Sequence, residues 1–156
     1  MHLKISEKGL DLIRNFESLY LKAYLCPAGI WTIGYGHTKN VKEGDIIDKS
    51  QANNFLLDDT YIAEFYVRKY VDVPLKQHAF DALVSWTFNL GAGNLKNSTM
   101  LKVINSGQFD EVAEQIKRWD KGRVGGELKQ LSGLVKRRKA EAILFCGGDW
   151  KIAIYD

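Results

Sequence analysis

A carboxyl group, a thiol and a hydroxyl lie close together near the start of this 156-residue chain. Eight residues separate Glu17 from Cys26, and five separate Cys26 from Thr32. Partial shielding from water favours the protonated form of a carboxyl group, which a general acid needs. A hydroxyl can hold a water molecule, and a thiolate can accept a proton. Together the three residues have the chemistry to protonate a substrate and to hold or activate a water. Each also has an ordinary structural interpretation, as a surface acid, a small apolar side chain or a strand former.

The general-acid candidate stands at the end of a predicted helix. Apolar residues at helical spacing follow Ser6, a good N-cap, as far as Phe16. Glu17 comes directly after this stripe, beside apolar neighbours. We therefore expect its carboxyl group to be partly desolvated.

The other two candidates belong to a predicted β-hairpin. The segment Tyr24–Cys26 leads into Pro27–Gly29, a turn sequence, and the β-branched and aromatic segment Ile30–Tyr35 follows. This pattern predicts a small antiparallel hairpin with Cys26 in the first strand and Thr32 in the second. The two side chains are then able to face each other.

Helices are predicted for most of the remaining chain. Asp48 with Gln51 resembles a capping box, which starts a long helix at about 50–70. Its expected buried stripe comprises Ala52, Phe55, Leu56, Ile62, Ala63 and Tyr66. Pro74 suits the first turn of the next helix. That helix is expected to bury Ala79, Leu83 and Trp86 and to end near Gly91.

Two shorter helices and a last, longer one complete the prediction, and all the elements together give the fold class. These three helices are expected at 98–106, 109–119 and 132–146, the last with Ser132 as N-cap. The fold class is α+β, mostly helical, with one early hairpin. We expect a single domain over 1–156. Within it we predict a β-containing lobe at 17–45, a connecting helix at 50–70 and a helical lobe at 71–150.

Composition narrows the possible classes of protein. Two cysteines, 120 positions apart, exclude a disulfide framework and zinc-ribbon spacing, and we expect neither a metal nor a cofactor. No 18-residue apolar run and no signal-peptide pattern occur, so we expect no stable membrane insertion.

The net charge is +3, yet residues 117–139 hold nine basic and two acidic side chains, which gives this segment a charge of +7. This segment suits an anionic polymer, but without a nucleic-acid motif we expect no nucleic-acid partner.

The sequence around the candidate residues resembles a known family. The run FESLYLKAYLCPAGIWTIGYGHT, with Gln51-Ala52, FDALVSWTFNLGAG and GLVKRRKAE further on, resembles the phage lysozyme family, the endolysins of glycoside hydrolase family 24. The resemblance extends over about residues 6–150. It implies a lysozyme-like fold with a cleft between the two lobes. It also implies a muramidase, which cleaves the β-1,4 bond between N-acetylmuramic acid and N-acetylglucosamine in peptidoglycan.

The resemblance assigns roles to the three opening residues. Glu17 is then the general acid, and Thr32 holds a water. Cys26 stands where many relatives have Asp, although Cys variants also belong to the family, so its role is the least determined. The stereochemical outcome follows from the distance between two carboxylates, and Cys26 removes one of them.

Five further residues are candidates for substrate binding or support. His37 is expected to bond a neighbouring element of the structure. Of Arg137 and Arg138, one is expected to pair with Glu17 or to position substrate, and a solvated basic helix face is the alternative. Asn89 and Trp119 are candidates for the sugar groove, although core packing is equally open for Trp119.

Other functions remain open from the sequence alone. They are a lytic transglycosylase acting on the same bond, a thiol enzyme with Cys26 as nucleophile and His37 as base, and a non-catalytic wall-binding module. The resemblance further implies a monomer that accumulates in the host bacterial cytoplasm. Such an enzyme reaches the peptidoglycan with the help of a separate holin-type release protein.

Overall fold

A computed structural model describes residues 2–155, and it is mostly helical with two antiparallel hairpins. The predicted α+β class is confirmed. The first part of the chain supplies one helix, the first hairpin and the longest helix: α1 Glu7–Glu17, β1 Tyr20–Leu25, β2 Trp31–Gly34 and α2 Lys49–Tyr70. The central part supplies four helices: α3 Gln77–Leu90, α4 Ala92–Asn97, α5 Thr99–Asn105 and α6 Val112–Lys117. The last part supplies the second hairpin and two helices: β3 Lys121–Val124, β4 Glu127–Gln130, α7 Ser132–Phe145 and α8 Ile152–Tyr155.

The main core is built around α3. Every residue from Ala79 to Thr87 on this helix is buried, as expected of a helix that is covered on all sides. α1, α2 and α7 all pack against it. The apolar side chains of this core come mainly from the helices that follow α2.

A second, smaller apolar cluster joins the first hairpin region to the helices. It consists of Leu10 and Ile13 from α1, Tyr35 after β2, and Ala52 and Leu56 from α2. The C-terminal half of α2 contributes instead to the main core. α2 therefore contributes to both clusters. The division into lobes at 17–45 and 71–150 remains a prediction.

The two predicted helix starts at Ser6 and Asp48 are confirmed in position, but their side chains behave differently. The Asp48 carboxylate accepts from the backbone N–H of Gln51, and the Gln51 side chain accepts from the N–H of Asp48. Ser6 is the N-cap residue of α1, yet its side chain makes no capping bond. Its hydroxyl and its N–H both donate to the buried Asp81 on α3. A tertiary contact has therefore replaced a local one.

Several local predictions are wrong. α3 begins at Gln77, so Pro74 lies in the preceding loop and not in the first turn. Ser132 is the first residue of α7, whose N-cap is Leu131. Ile62 is 59% exposed because its side of α2 faces an open cleft and not the core.

The second hairpin, β3–β4, was not predicted. Its strand residues are almost all exposed, and polar residues dominate them, so no alternating apolar pattern marks it. The turn glycines Gly125 and Gly126 both have positive φ, 59° and 84°. A Gly-Gly pair is a typical two-residue hairpin turn, and it was the one local indication of this element.

Candidate active site

Glu17 is the last residue of α1, and backbone geometry holds it at the edge of the first hairpin. The helix stops because Ser18 adopts a positive φ of 62°. The Glu17 side chain is 19% exposed. A Cβ added to Gly36, which itself has φ 81°, would lie only 2.6 Å from Glu17 Oε1. The hairpin backbone thus covers one side of the carboxyl group, and only glycine permits this approach.

Arg137 on α7 holds the other oxygen of this carboxyl group. Its Nη1 donates to Glu17 Oε2 at 2.6 Å, and its own side chain is only 4% exposed. The guanidinium also lies over the ring of Phe16, 6.0 Å from the centroid. The fold therefore brings together two candidates that are 120 residues apart in sequence.

Behind this pair lies a buried acid that the sequence analysis missed. Glu141 Oε2 accepts from Ser85 Oγ at 2.6 Å and from Arg137 Nε at 3.3 Å. Glu141 Oε1 lies 2.7 Å from Arg138 Nε. The spacing of three and four residues from Arg138 and Arg137 on one predicted helix was the available indication.

Arg138 does not contact Glu17 and instead supports α3 from within the protein. It is fully buried, and its Nη2 donates to Asn89 Oδ1 at 2.8 Å. Burial lowers the pKa of Arg138, and the nearby Arg137 charge adds to this, whereas Glu141 opposes it. The solvated-face alternative is therefore wrong for both arginines, because each is buried in ion pairs.

The hairpin brings Cys26 and Thr32 together, although Cys26 lies just beyond β1 and not within it. The N–H of Cys26 donates to the carbonyl of Ile30 at 3.0 Å, and the Thr32 hydroxyl donates to that same carbonyl at 3.0 Å. A hydrogen bond from the Ile30 backbone is the largest effect that lowers the pKa of the Cys26 thiol. Backbone groups of the turn and the Thr32 hydroxyl lower it further, while burial opposes them. The hairpin thus favours a thiolate.

Tyr24 is a further residue of this face that the sequence analysis did not single out. It is the cross-strand partner of Thr32, and its ring lies 4.3 Å from that of Tyr20. Burial raises the pKa of Tyr24, and negative charge on Tyr20, Cys26 and Glu17 adds to this. The phenol is therefore near both the thiol and the carboxyl group.

His37 has a structural environment of the kind expected from the sequence. Its Nδ1 lies 2.8 Å from Asp59 Oδ2 on α2, and its ring stacks on Phe55 at 4.1 Å. Burial raises the pKa of Asp59, and the hydrogen bond with His37 opposes that effect. The pair fixes the end of the hairpin to α2.

A cleft runs past Glu17 in two segments. The larger has a volume of about 510 Å³, and α2, α3 and the hairpin end contribute to its lining. The smaller, about 310 Å³, lies toward Arg137 and the start of α7. Glu17 and Asn89 line both segments, so they stand where the two meet. Trp119 lies half-buried at the main core with its ring edge-to-face on Trp86 at 5.3 Å, which supports the packing interpretation.

The family follows from comparison with known proteins. The sequence model of the family described as phage lysozyme matches residues 14–141 of this chain. The chain belongs to the phage lysozyme family. The protein is therefore a lysozyme, a glycoside hydrolase that acts on peptidoglycan, and the identification made from the sequence motifs is confirmed.

Individual relatives support the same assignment for this lysozyme. It is 44% identical to the endolysin of Acyrthosiphon pisum secondary endosymbiont phage 1, covering 92% of this chain and 98% of that protein. It is 41% identical to the endolysin of Bacillus phage B103, but it spans only 56% of that protein's length.

Solved structures show the same fold. An endolysin from Escherichia coli O157:H7 phage FAHEc1 is 42% identical, with a TM-score of 0.88, covering 93% of this chain and 94% of that one. The muramidase domain of SpmX from Asticaccaulis excentricus is 37% identical, with a TM-score of 0.87, covering 92% and 97%. The lysozyme is thus a phage endolysin muramidase in family and fold.

The basic segment of the lysozyme is less available to a polymer than its sequence suggested. Two of its nine cations, Arg137 and Arg138, are buried in ion pairs. Others pair locally with acids: Lys117 with Glu114, and Lys121 with Asp120. Among residues 2–155, no group of three or more His, Cys, Asp and Glu side chains has a metal-binding arrangement, and no helix is long and apolar enough to cross a bilayer.

Proposed function

We propose that this endolysin hydrolyses the β-1,4 bond between N-acetylmuramic acid and N-acetylglucosamine with Glu17 as general acid. The observation that carries the proposal is the position of Glu17 where two cleft segments meet. A polysaccharide that fills both segments places its scissile bond at this carboxyl group. Because Arg137 bonds Oε2, Oε1 is the oxygen that carries the proton to the leaving group.

Cys26 and Thr32 are the residues proposed to hold the water. Hydrolysis joins a water oxygen to the anomeric carbon as the glycosidic C–O bond breaks and the Glu17 proton passes to the departing oxygen. The water proton passes to the Cys26 thiolate, whose formation is favoured by the lowered pKa of this thiol. Thr32 is proposed to hold the water through its hydroxyl oxygen, which can accept a hydrogen bond from it.

The other candidates act through position. Asn89 lines both cleft segments and is proposed to bond a sugar substituent, while Arg138 fixes its amide. Arg137 orients Glu17. His37 anchors the hairpin to α2, and Trp119 supports the wall of the helical lobe behind the cleft.

The products of peptidoglycan digestion test this proposal. A hydrolase leaves a reducing N-acetylmuramic acid end, so we expect borohydride to reduce the new ends and mass spectrometry to find each product with one added water. Heat-inactivated enzyme is the control. Anhydromuramyl ends would assign the lytic transglycosylase reaction instead, and intact glycan strands would indicate a wall-binding module.

The lowered pKa of the Cys26 thiol also favours a second candidate, a thiol nucleophile. Replacement by aspartate separates the two, since a carboxylate can accept a proton from water as a thiolate does. We expect Cys26→Asp to retain wall lysis within about tenfold of the wild type, and Cys26→Ser to lose about a hundredfold or more. Turbidity loss of purified peptidoglycan measures both. If Cys26→Asp is as inactive as the serine variant, the water-activating role of Cys26 is wrong.

We further propose that the protein accumulates in the bacterial cytoplasm as a monomer and reaches the wall through a separate holin-type release protein. The similarity to phage endolysins over nearly the whole of this chain supports this, because host lysis requires access to the wall at a set time. Sedimentation of the purified protein tests the monomer. Co-expression with and without a membrane-permeabilising protein tests the release step.

A further inference from the structure

Glu141 is a fully buried acid for which the proposed reaction gives no direct role. Its side chain has no exposed surface, so it cannot touch the glycan. It nevertheless binds the same guanidinium group that holds the general acid: Arg137 donates from Nη1 to Glu17 and from Nε to Glu141. Arg137 therefore links a carboxyl group in the cleft to one in the interior.

The buried charges around this link are balanced. Arg137 and Arg138 supply two positive charges, and Glu141 and ionised Glu17 supply two negative ones. When Glu17 takes up a proton, the cluster keeps one excess positive charge. Without Glu141 it would then hold two, inside a region where burial strengthens every charge interaction. Removing Glu141 thus makes the protonated form of Glu17 much less favourable.

Other titratable groups lie near this carboxyl group, and the hairpin region and α2 contribute them. Four of these groups lie on the solvent side of Glu17: Tyr24, Cys26, Lys39 and Asp59. A fifth charged group, Asp120, lies on the side of Arg138. α3 contributes only neutral side chains, Ser85 and Asn89. Glu141 is therefore the one interior acid among these groups that bonds directly to the guanidinium of Arg137.

We propose that Glu141 is a positioning residue that sets the pH range of the enzyme by neutralising Arg137, so that Glu17 can hold the proton it donates. Ser85 donates a 2.6 Å hydrogen bond to Glu141 but adds no charge to the cluster. The inference rests on the proposed function, in which Glu17 acts as general acid. It adds a residue that controls the protonation of that acid without contacting the substrate.

The pH–rate profile of Glu141→Gln tests the proposal. Activity requires protonated Glu17, and the extra positive charge in this variant favours the carboxylate. At any given pH the protonated fraction falls, so the alkaline limb moves to lower pH, by about one unit. On that limb we expect about a tenfold loss of rate, with little change on the acid side. If the alkaline limb of Glu141→Gln stays at the wild-type position, the proposal is overturned.

Three matched variants separate charge from packing. Ser85→Ala removes a neutral partner of Glu141, so its alkaline limb is expected to stay in place even if its rate falls. Arg138→Met removes one cation and should move the limb to higher pH. The double variant Glu141→Gln/Arg138→Met restores the charge count and should return the limb toward the wild-type position. If Glu141→Gln does not fold, these last two variants carry the test, and identical limbs in both and in the wild type would overturn the proposal.

The result is distinguishable from a failure of the proposed function. If Glu17→Gln retains wall lysis, then Glu17 is not the general acid, and both proposals fall. If Glu17→Gln is inactive while the four profiles above share one alkaline limb, only the role of Glu141 falls. Circular dichroism of each variant shows that the compared proteins are folded.

Discussion

Glu17→Gln is expected to reduce peptidoglycan lysis by about three orders of magnitude, near the contribution of a positioned general acid. Glutamine has nearly the same shape, and its amide oxygen can still accept from Arg137, which bonds Oε2 in the wild type. The amide nitrogen carries no proton that it can give to the leaving oxygen. The substitution therefore removes the chemistry and preserves the surroundings. Turbidity loss of purified peptidoglycan measures the rate.

The first helix offers a matched control for this experiment. Glu7 is on the same helix, and its side chain is 77% exposed, paired with Arg14 on the surface. Glu7→Gln should keep full lytic activity. Both variants should keep the wild-type circular dichroism spectrum and should pellet with insoluble peptidoglycan. Lysis by Glu17→Gln at more than a tenth of the wild-type rate would contradict the assignment of the general acid.

Arg138→Ala is expected to cost about 3–5 kcal/mol of unfolding free energy, the cost of breaking a buried ion pair by removing one partner. The truncation leaves Glu141 in the interior without the guanidinium that lies 2.7 Å from its Oε1. It also removes the bond to Asn89 and opens a cavity beside α3. For a protein of this size the loss corresponds to a fall in melting temperature of about 10 °C.

Thermal unfolding followed by circular dichroism measures this effect, and Lys136 supplies the control. It lies two positions earlier on α7 and is exposed, so Lys136→Ala should change stability by about 0.5 kcal/mol or less. Arg138→Met should be less destabilising than Arg138→Ala, since it fills most of the space. A melting temperature of Arg138→Ala within 2–3 °C of the control, on the order of 1 kcal/mol, would show that the buried pair contributes little.

Local features of the sequence were sufficient for the elements that carry the opening residues. The helix ending at Glu17, the turn at Pro27–Gly29 and the capping box at Asp48 all depend on interactions within a few residues. The motif spacing also identified the family, because its residues lie in one hairpin and one helix end. Where apolar periodicity was weak, as in β3 and β4, the element was missed.

The sequence by itself determined the helical class, the first hairpin and the residue types of the cleft, since these depend on short-range periodicity and turn chemistry. Only the tertiary structure decided which arginine meets Glu17, and that Glu141 lies behind it. Residues 120 positions apart become neighbours when α7 packs against α1 and α3. Burial then decides the rest, because charges that water would screen on a free helix must pair with one another in the interior.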